Sequence, residues 1–340
     1  MKNKIYACLL AGGKGTRLWP LSTNRRSKSF VSLGGKRPLF VDTIERLDGI
    51  VPRQDIIVVV DRIQAPLVRR LAKGVPRKNV LVEPFGRSTA AAIGLAAIKL
   101  GPDDLILALP TDALIENLTE YRRTIKEALR FVRKQKGALM CIGVKPVRPD
   151  TSYGYIKVRS SGEGRIYSVR SFVEKPDKPK AVRLLKDPSC LWNAGIFVFR
   201  AGDILEAMAR HAPSLYRELI NVKKKRTSLE KAYRRIKDVS IDYQVMEKAD
   251  NLFCAKGSFS WRDLGSWKSV LGLLKTDKNG NARFGRSNIL STTNSLVYNA
   301  TKGELGVLGL DAAVVVRTED GVLVSTKDSC EKIKKLKARR

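Results

Sequence analysis

Ile5-Tyr6-Ala7-Cys8-Leu9-Leu10-Ala11-Gly12-Gly13-Lys14-Gly15-Thr16-Arg17-Leu18-Trp19-Pro20-Leu21-Ser22 sets the reading of the whole chain. Its first seven residues form an apolar run suited to a buried strand, and a glycine-rich turn breaks it at once. Three glycines in four positions let backbone amides come close to a phosphate chain. Lys14 and Arg17 add positive charge where a triphosphate would lie. The spacing fits neither the P-loop G-x-x-x-x-G-K-[ST] nor the dinucleotide G-x-G-x-x-G pattern. Lys2 and Lys4 before so short an apolar run resemble a signal peptide only faintly, so a first strand is the better reading.

Downstream, short aliphatic runs alternate with helical patterns. Strands are expected over Ile5–Ala11, Asp55–Val60, Asn79–Glu83, Leu105–Leu109 and Ala138–Val144, and helices over Arg87–Leu100 and Thr119–Lys136. In the second helix Tyr121, Ile125, Leu129 and Val132 recur at helical spacing, and Gly137 stands where a C-terminal cap belongs. This alternation predicts an α/β, Rossmann-like fold with a mixed or mainly parallel sheet covered on both faces. Ligands in such sheets bind beyond the carboxyl ends of the strands. After about residue 270 the helical period disappears. Asn288–Leu290, Ser295–Tyr298, Leu305–Leu308, Ala313–Val316 and Val322–Val324 read as short strands of a small all-β, β-helix-like appendage.

At 340 residues the chain can bury roughly three-quarters of its unfolded surface, enough for one large domain or two unequal ones. No apolar run approaches the roughly 18 residues of a membrane span. Five scattered cysteines without a C-x-x-C pair argue against a disulfide framework or zinc site and favour a reducing cytoplasm. A single histidine, His211, makes a histidine-based triad improbable. The 65 basic against 33 acidic residues give a net charge of +32. Solvated lysine-rich faces and a polyanionic partner both account for it. Attraction to nucleic acid is expected only as a non-specific effect at low salt.

The opening segment resembles the signature loop of sugar-nucleotide pyrophosphorylases, and Leu18-Trp19-Pro20-Leu21-Ser22 is similar to the mannose-1-phosphate guanylyltransferase branch of that family. Ser27-Lys28-Ser29-Phe30 follows the family's Pro-Lys-x-Phe element with serine for proline. Further matches come in order: Glu83-Pro84-Phe85-Gly86-Arg87-Ser88-Thr89-Ala90, with Ser88 for the usual asparagine; Leu109-Pro110-Thr111-Asp112, with Ala113 for histidine; then Tyr153-Gly154-Tyr155, Phe172-Val173-Glu174-Lys175-Pro176, Trp192-Asn193-Ala194-Gly195, Ser240-Ile241-Asp242-Tyr243 and Trp261-Arg262-Asp263-Leu264.

The resemblance implies a nucleotidyltransferase domain over residues 1–270 and a β-rich C-terminal domain with a basic tail over 271–340. It implies GTP and mannose 1-phosphate as substrates, Mg²⁺ as cofactor and a homodimer. Leu10, Ala11, Gly12, Gly13, Lys14, Gly15 and Thr16, with Glu83, Pro84, Gly86, Ser88 and Thr89, would bind the nucleotide. Arg17 and Lys28 would act on its phosphates and Lys175 on the phosphate of the sugar. Gly154, Glu174, Asn193 and Asp242 would recognise the sugar. By spacing alone Asp112 reads as a helix N-cap and Asp263 as a turn residue; the resemblance makes both ligands of one Mg²⁺. Trp192 and Phe197 read as core packing rather than sugar stacking.

Overall fold

The computed structural model describes residues 3–13, 16–33 and 37–337. Strands β1 (Ile5–Leu10), β2 (Ile56–Asp61), β3 (Val80–Glu83), β4 (Leu105–Pro110), β5 (Ala113–Glu116) and β6 (Leu139–Val144) are followed by β7 (Tyr155–Glu163), β8 (Ile166–Val173), β9 (Cys190–Arg200), β10 (Leu252–Gly257) and β11 (Ser260–Asp263). Helices α1 (Leu39–Arg46), α2 (Ala65–Leu71), α3 (Ser88–Ala97), α4 (Leu118–Lys134), α5 (Lys178–Lys186), α6 (Ala201–His211), α7 (Pro213–Lys223) and α8 (Leu229–Arg235) lie between them. The five strands expected in the first half all form, each within one residue at either end. Helix α4 starts where the Asn117 side chain accepts the Glu120 amide at 3.2 Å, and it buries Tyr121, Ile125, Leu129 and Val132. Beyond its end Gly137 takes φ +82°, the conformation glycine allows without strain.

Contacts group the chain into two compact units. The first comprises 1–12, 44–111 and 115–261; the second comprises 13–43, 112–114 and 262–340. The expected cut at residue 270 falls inside the second unit, which also takes in the segment after the glycine turn.

Among the described residues the first unit holds a nine-stranded sheet in the order β3-β2-β1-β4-β9-β6-β10-β8-β7. Its first four strands run parallel, which puts the ends of β1, β3 and β4 on one side. Strand β9 enters antiparallel between β4 and β6, and the β7–β8 hairpin is antiparallel too, so the sheet is mixed. Helix α3 is apolar on every face and buried from Ala90 to Ala97. Such a helix has no face to offer to water. At Gly94 a side chain would collide with Leu219 of α7.

In the second unit, α9 (Trp267–Leu271) precedes β12 (Ala282–Phe284), β13 (Ser287–Leu290), β14 (Leu296–Asn299), β15 (Leu305–Leu308), β16 (Ala313–Thr318) and β17 (Gly321–Thr326), with α10 (Ile333–Lys337) last. Strands β12, β14 and β16 pair in parallel, as do β13 and β15, and each partner lies one coil further along the chain. This is the β-helix-like arrangement expected from the sequence; β17 closes it antiparallel to β16. Alternation along β14 and β16 serves two cores. Val297 and Val315 pack inside the coil with Val307. Leu296, Tyr298, Val314 and Val316 face the other way, onto Leu18, Leu21, Val31 and Trp267.

Candidate active site

In the second unit, Lys28 opens a short 3₁₀ turn and is buried. Its Nζ lies 3.0 Å from Asp112 Oδ2 and donates to Asp263 Oδ1, joining groups 235 residues apart. Asp112 follows β4 and caps no helix, because β5 begins at the next residue; Asp263 ends β11. Burial works against the Lys28 ammonium, but the two carboxylates outweigh it and hold the lysine above its ordinary value. Burial pushes the Asp263 carboxyl up, Lys28 opposes this, Asp112 adds to it and Arg17 opposes it; the net direction is up. Arg17 is exposed on its own 3₁₀ turn, near enough for Asp263 to feel its charge. Both carboxylates thus converge on one cation, here the chain's own ammonium. Hard oxygen donors around a single cationic position suit a magnesium ion, which commonly takes one or two carboxylates and completes its shell with water and phosphate. Among the described residues no cluster of three or more His, Cys, Asp or Glu offers a metal an all-protein cage.

The expected nucleotide residues of the first unit gather at strand ends. Leu10 and Ala11 close β1, where the Ala11 amide donates to Val59 at 2.9 Å. A side chain at Gly12 would point at Glu83 Oε2, 3.9 Å away. Glu83 is 4% exposed at the end of β3, and its Oε1 has no partner. Burial raises its carboxyl to about 7, opposed by the nearby Tyr233 hydroxyl and aided by Asp61. Pro84 and Gly86 carry the chain round to Ser88, which takes φ +65° at the start of α3. Serine has no special tolerance for this left-handed conformation, whereas asparagine does. Thr89 Oγ1 accepts the Ile241 amide at 2.9 Å and so steadies the π turn Asp242–Met246. In the second unit Gly13 takes φ +121° and Thr16 opens the 3₁₀ turn that carries Arg17; Lys14 and Gly15 lie outside the described residues.

The expected sugar residues, also in the first unit, form one cluster. Asn193 Nδ2 donates to the buried Asp242 Oδ1 at 2.8 Å, and the Asn193 amide donates to the Gly154 carbonyl at 2.8 Å. A side chain at Gly154 would run into Glu174 Oε2 and come within 3.3 Å of Asn193 Cβ. Lys175, at φ +48°, bonds Glu174 Oε1 and stands 5.9 Å above the Tyr243 ring. Glu174 Oε2 is buried without a partner. Burial raises the carboxyls of both Glu174 and Asp242. Three participants were not singled out from the sequence. Tyr243 ends the Ser240–Tyr243 motif, and Glu247, which accepts the Glu174 amide at 2.7 Å, lies four residues beyond it; Tyr233 carries no motif signal. Trp192 packs edge-on to Tyr153 in the core, as expected.

The chain belongs to the nucleotidyl transferase family, whose model matches residues 6–280. It is an enzyme of that class, acting on a nucleoside triphosphate and a sugar phosphate with a divalent metal ion. It is 35% identical to the alginate biosynthesis protein AlgA of Pseudomonas fluorescens, over 96% of this chain and 70% of that protein. A mannose-1-phosphate guanylyltransferase of Escherichia coli is 32% identical, over 99% of this chain and 75% of its own length. The crystal structure described as mannose-1-phosphate geranyltransferase from Thermus thermophilus superimposes with a TM-score of 0.90 at 34% identity, covering 99% of both chains. No helix among the described residues is long and apolar enough to cross a membrane.

Proposed function

We propose that the chain is a mannose-1-phosphate guanylyltransferase, making GDP-mannose and diphosphate from GTP and mannose 1-phosphate with Mg²⁺. A phosphate oxygen of the sugar phosphate attacks the α-phosphorus; the bond from that phosphorus to the bridging oxygen breaks, and diphosphate leaves with its electron pair. The observation that carries this reading is the convergence of Asp112 and Asp263 on a single cation, in a chain similar almost end to end to proteins of that name.

The difficulty of the reaction is charge, because two polyanions have to meet. Magnesium held by Asp112 and Asp263 would supply positive charge against the phosphate oxygens. Lys28 exchanges its carboxylates for the α-phosphate, and Arg17 holds the β- and γ-phosphates, where negative charge grows as diphosphate departs. Lys175 engages the phosphate of the sugar. Glu174, Asn193, Asp242 and Gly154 recognise sugar hydroxyls, with the unpartnered Glu174 Oε2 as an acceptor left for one of them. Glu83, aimed past Gly12, accepts N–H groups from the base; guanine offers a ring N–H and an amino group side by side. Ser88, Thr89, Pro84 and Gly86 shape that pocket. The five cysteines are buried and form no disulfide with one another, which supports a reducing cytoplasmic setting.

A coupled diphosphate-release assay across GTP, ATP, UTP and dTTP, each with several hexose 1-phosphates, tests the reading. The highest kcat/KM is expected for GTP with mannose 1-phosphate; a higher value for another pair reassigns the substrates.

A further inference from the structure

The second unit joins the segment carrying Arg17 and Lys28 to the β-coil, and several fastenings lie close to those two residues in sequence. The Thr318 hydroxyl, buried at the end of β16, donates to the Pro20 carbonyl at 3.2 Å and accepts the Asp320 amide at 3.1 Å. Trp267 Nε1 donates to the Trp19 carbonyl at 3.1 Å, and the Tyr298 hydroxyl donates to the Ser32 carbonyl at 3.0 Å. Arg26 pairs with Asp320 at 3.1 Å. At Gly321, φ is +144°, and a Cβ would sit 2.9 Å from Trp19 Cζ2. The Trp19 ring thus lies against bare backbone at the turn between β16 and β17. Leu18 and Leu21 are buried in one core with Val314, Val316 and Leu323. Arg17 is two residues from Trp19, and Lys28 is four from Ser32.

We propose that the β-coil is a positioning element for phosphate chemistry: the turn Thr318–Gly321 and the side chains of Trp267 and Tyr298 fix the backbone that presents Arg17 and Lys28. Thr318 and Gly321 are positioning residues that act through the loop. This rests on the assignment of those two cations to the triphosphate. A displacement of about 1 Å at a group that must meet its partner in the transition state can cost up to ~10²-fold in rate. The coil therefore governs turnover while leaving recognition by the Gly154, Glu174 and Asn193 cluster unchanged.

The test compares Gly321→Ala with Gly309→Ala. Gly309 is another coil glycine at positive φ (+69°), but nothing lies within 4 Å of its would-be Cβ. Both variants are expected to lose thermal stability. Gly321→Ala should lower kcat per folded enzyme by on the order of 10-fold or more and weaken diphosphate binding by about 5-fold. Its KM for the sugar phosphate should stay within about twofold of wild type, and Gly309→Ala should keep wild-type kcat and diphosphate affinity. Thr318→Val, which leaves the Pro20 carbonyl unpaired, should lower kcat, and Thr318→Ser should restore it; this pair decides the matter if Gly321→Ala does not fold. Equal kcat per folded molecule in Gly321→Ala and Gly309→Ala, or wild-type kcat in Thr318→Val, overturns the proposal. Turnover with a different sugar phosphate would correct the assigned substrate while leaving the Gly321–Gly309 contrast as the measure of positioning. A wild-type chain that binds no diphosphate would remove the functional reading and this inference together.

Discussion

The Lys28–Asp112–Asp263 cluster and the Gly154–Glu174–Asn193–Asp242 cluster both concentrate carboxylates, yet they are built in opposite ways. The first carries its own counter-ion: one buried ammonium serves both aspartates. The second is incomplete. Lys175 serves one Glu174 oxygen, while the other is buried without a partner, and burial holds the Glu174 and Asp242 carboxyls up. A group already paired can take a ligand only by exchange, whereas an unpaired acceptor can take one directly. The first cluster thus suits a cation that arrives together with phosphates able to receive the released lysine. The second suits a neutral hydroxyl that donates.

The sharpest way to break this contrast is Lys28→Met. Turnover should fall by ~10²–10³. Mn²⁺, titrated into the nucleotide-free protein and followed by electron paramagnetic resonance, should bind more tightly than to wild type, since no ammonium competes. Weaker binding would mean that Lys28 helps to build the cation position rather than merely filling it. Next in size, Gly154→Ala sets a methyl group against Glu174 Oε2. It should lower kcat/KM for the sugar phosphate by on the order of 10-fold or more, because the site loses its acceptor. Calorimetry should show unchanged GTP affinity, and a loss there would tie the two clusters together.

Glu83 supplies a smaller effect with a defined sign. Its folded carboxyl stands at about 7, above the ordinary value of 4.5. The folded state therefore binds the proton more tightly than the unfolded chain. Its stabilising contribution is full below about pH 4.5 and disappears as pH rises to about 7, a change of roughly 3 kcal/mol at most. Thermal melts at pH 4.5 and 7.5 should differ less in Glu83→Gln than in wild type by that amount. GTP should bind wild type better at pH 8 than at pH 6, because the base needs the ionised acceptor; the opposite trend would reassign Glu83. Smallest is Ser27→Pro. Ser27 already has φ −67° and ψ 169°, its hydroxyl is buried without a partner, and its amide makes no hydrogen bond among the described residues. Proline there should add about 0.5–1 kcal/mol in chemical denaturation. Ser88→Asn should add a similar or smaller amount by easing a positive φ.

Much of this arrangement is written locally. Strands β1 to β4 are continuous aliphatic runs, and the short strands after residue 282 show their alternation plainly. Glu174, Lys175, Asn193 and Asp242 were legible as motif residues and do lie together. What local pattern cannot express is direction and partnership over long separations. Strand β9 is buried on both faces almost throughout, so its sequence reads the same whether it runs parallel or antiparallel. The ion pairing of Lys28 joins residues as much as 235 positions apart. Tyr233 sits on an ordinary amphipathic helix. The interleaving of units was also hidden, since nothing in Leu18 or Leu21 says that their core neighbours are Val314 and Leu323.

That interleaving has a consequence for biosynthesis. Leu18, Leu21 and Val31 leave the ribosome long before Val314, Val316, Leu323 and Ile333, with which they share one core. At about 5–20 residues per second, the loop spends roughly 15–60 s without the apolar surface it needs. The segment proposed to handle the triphosphate thus waits for its packing partners, and a nascent chain stalled before β16 and β17 exposes Leu18, Leu21 and Val31 to any chaperone within reach.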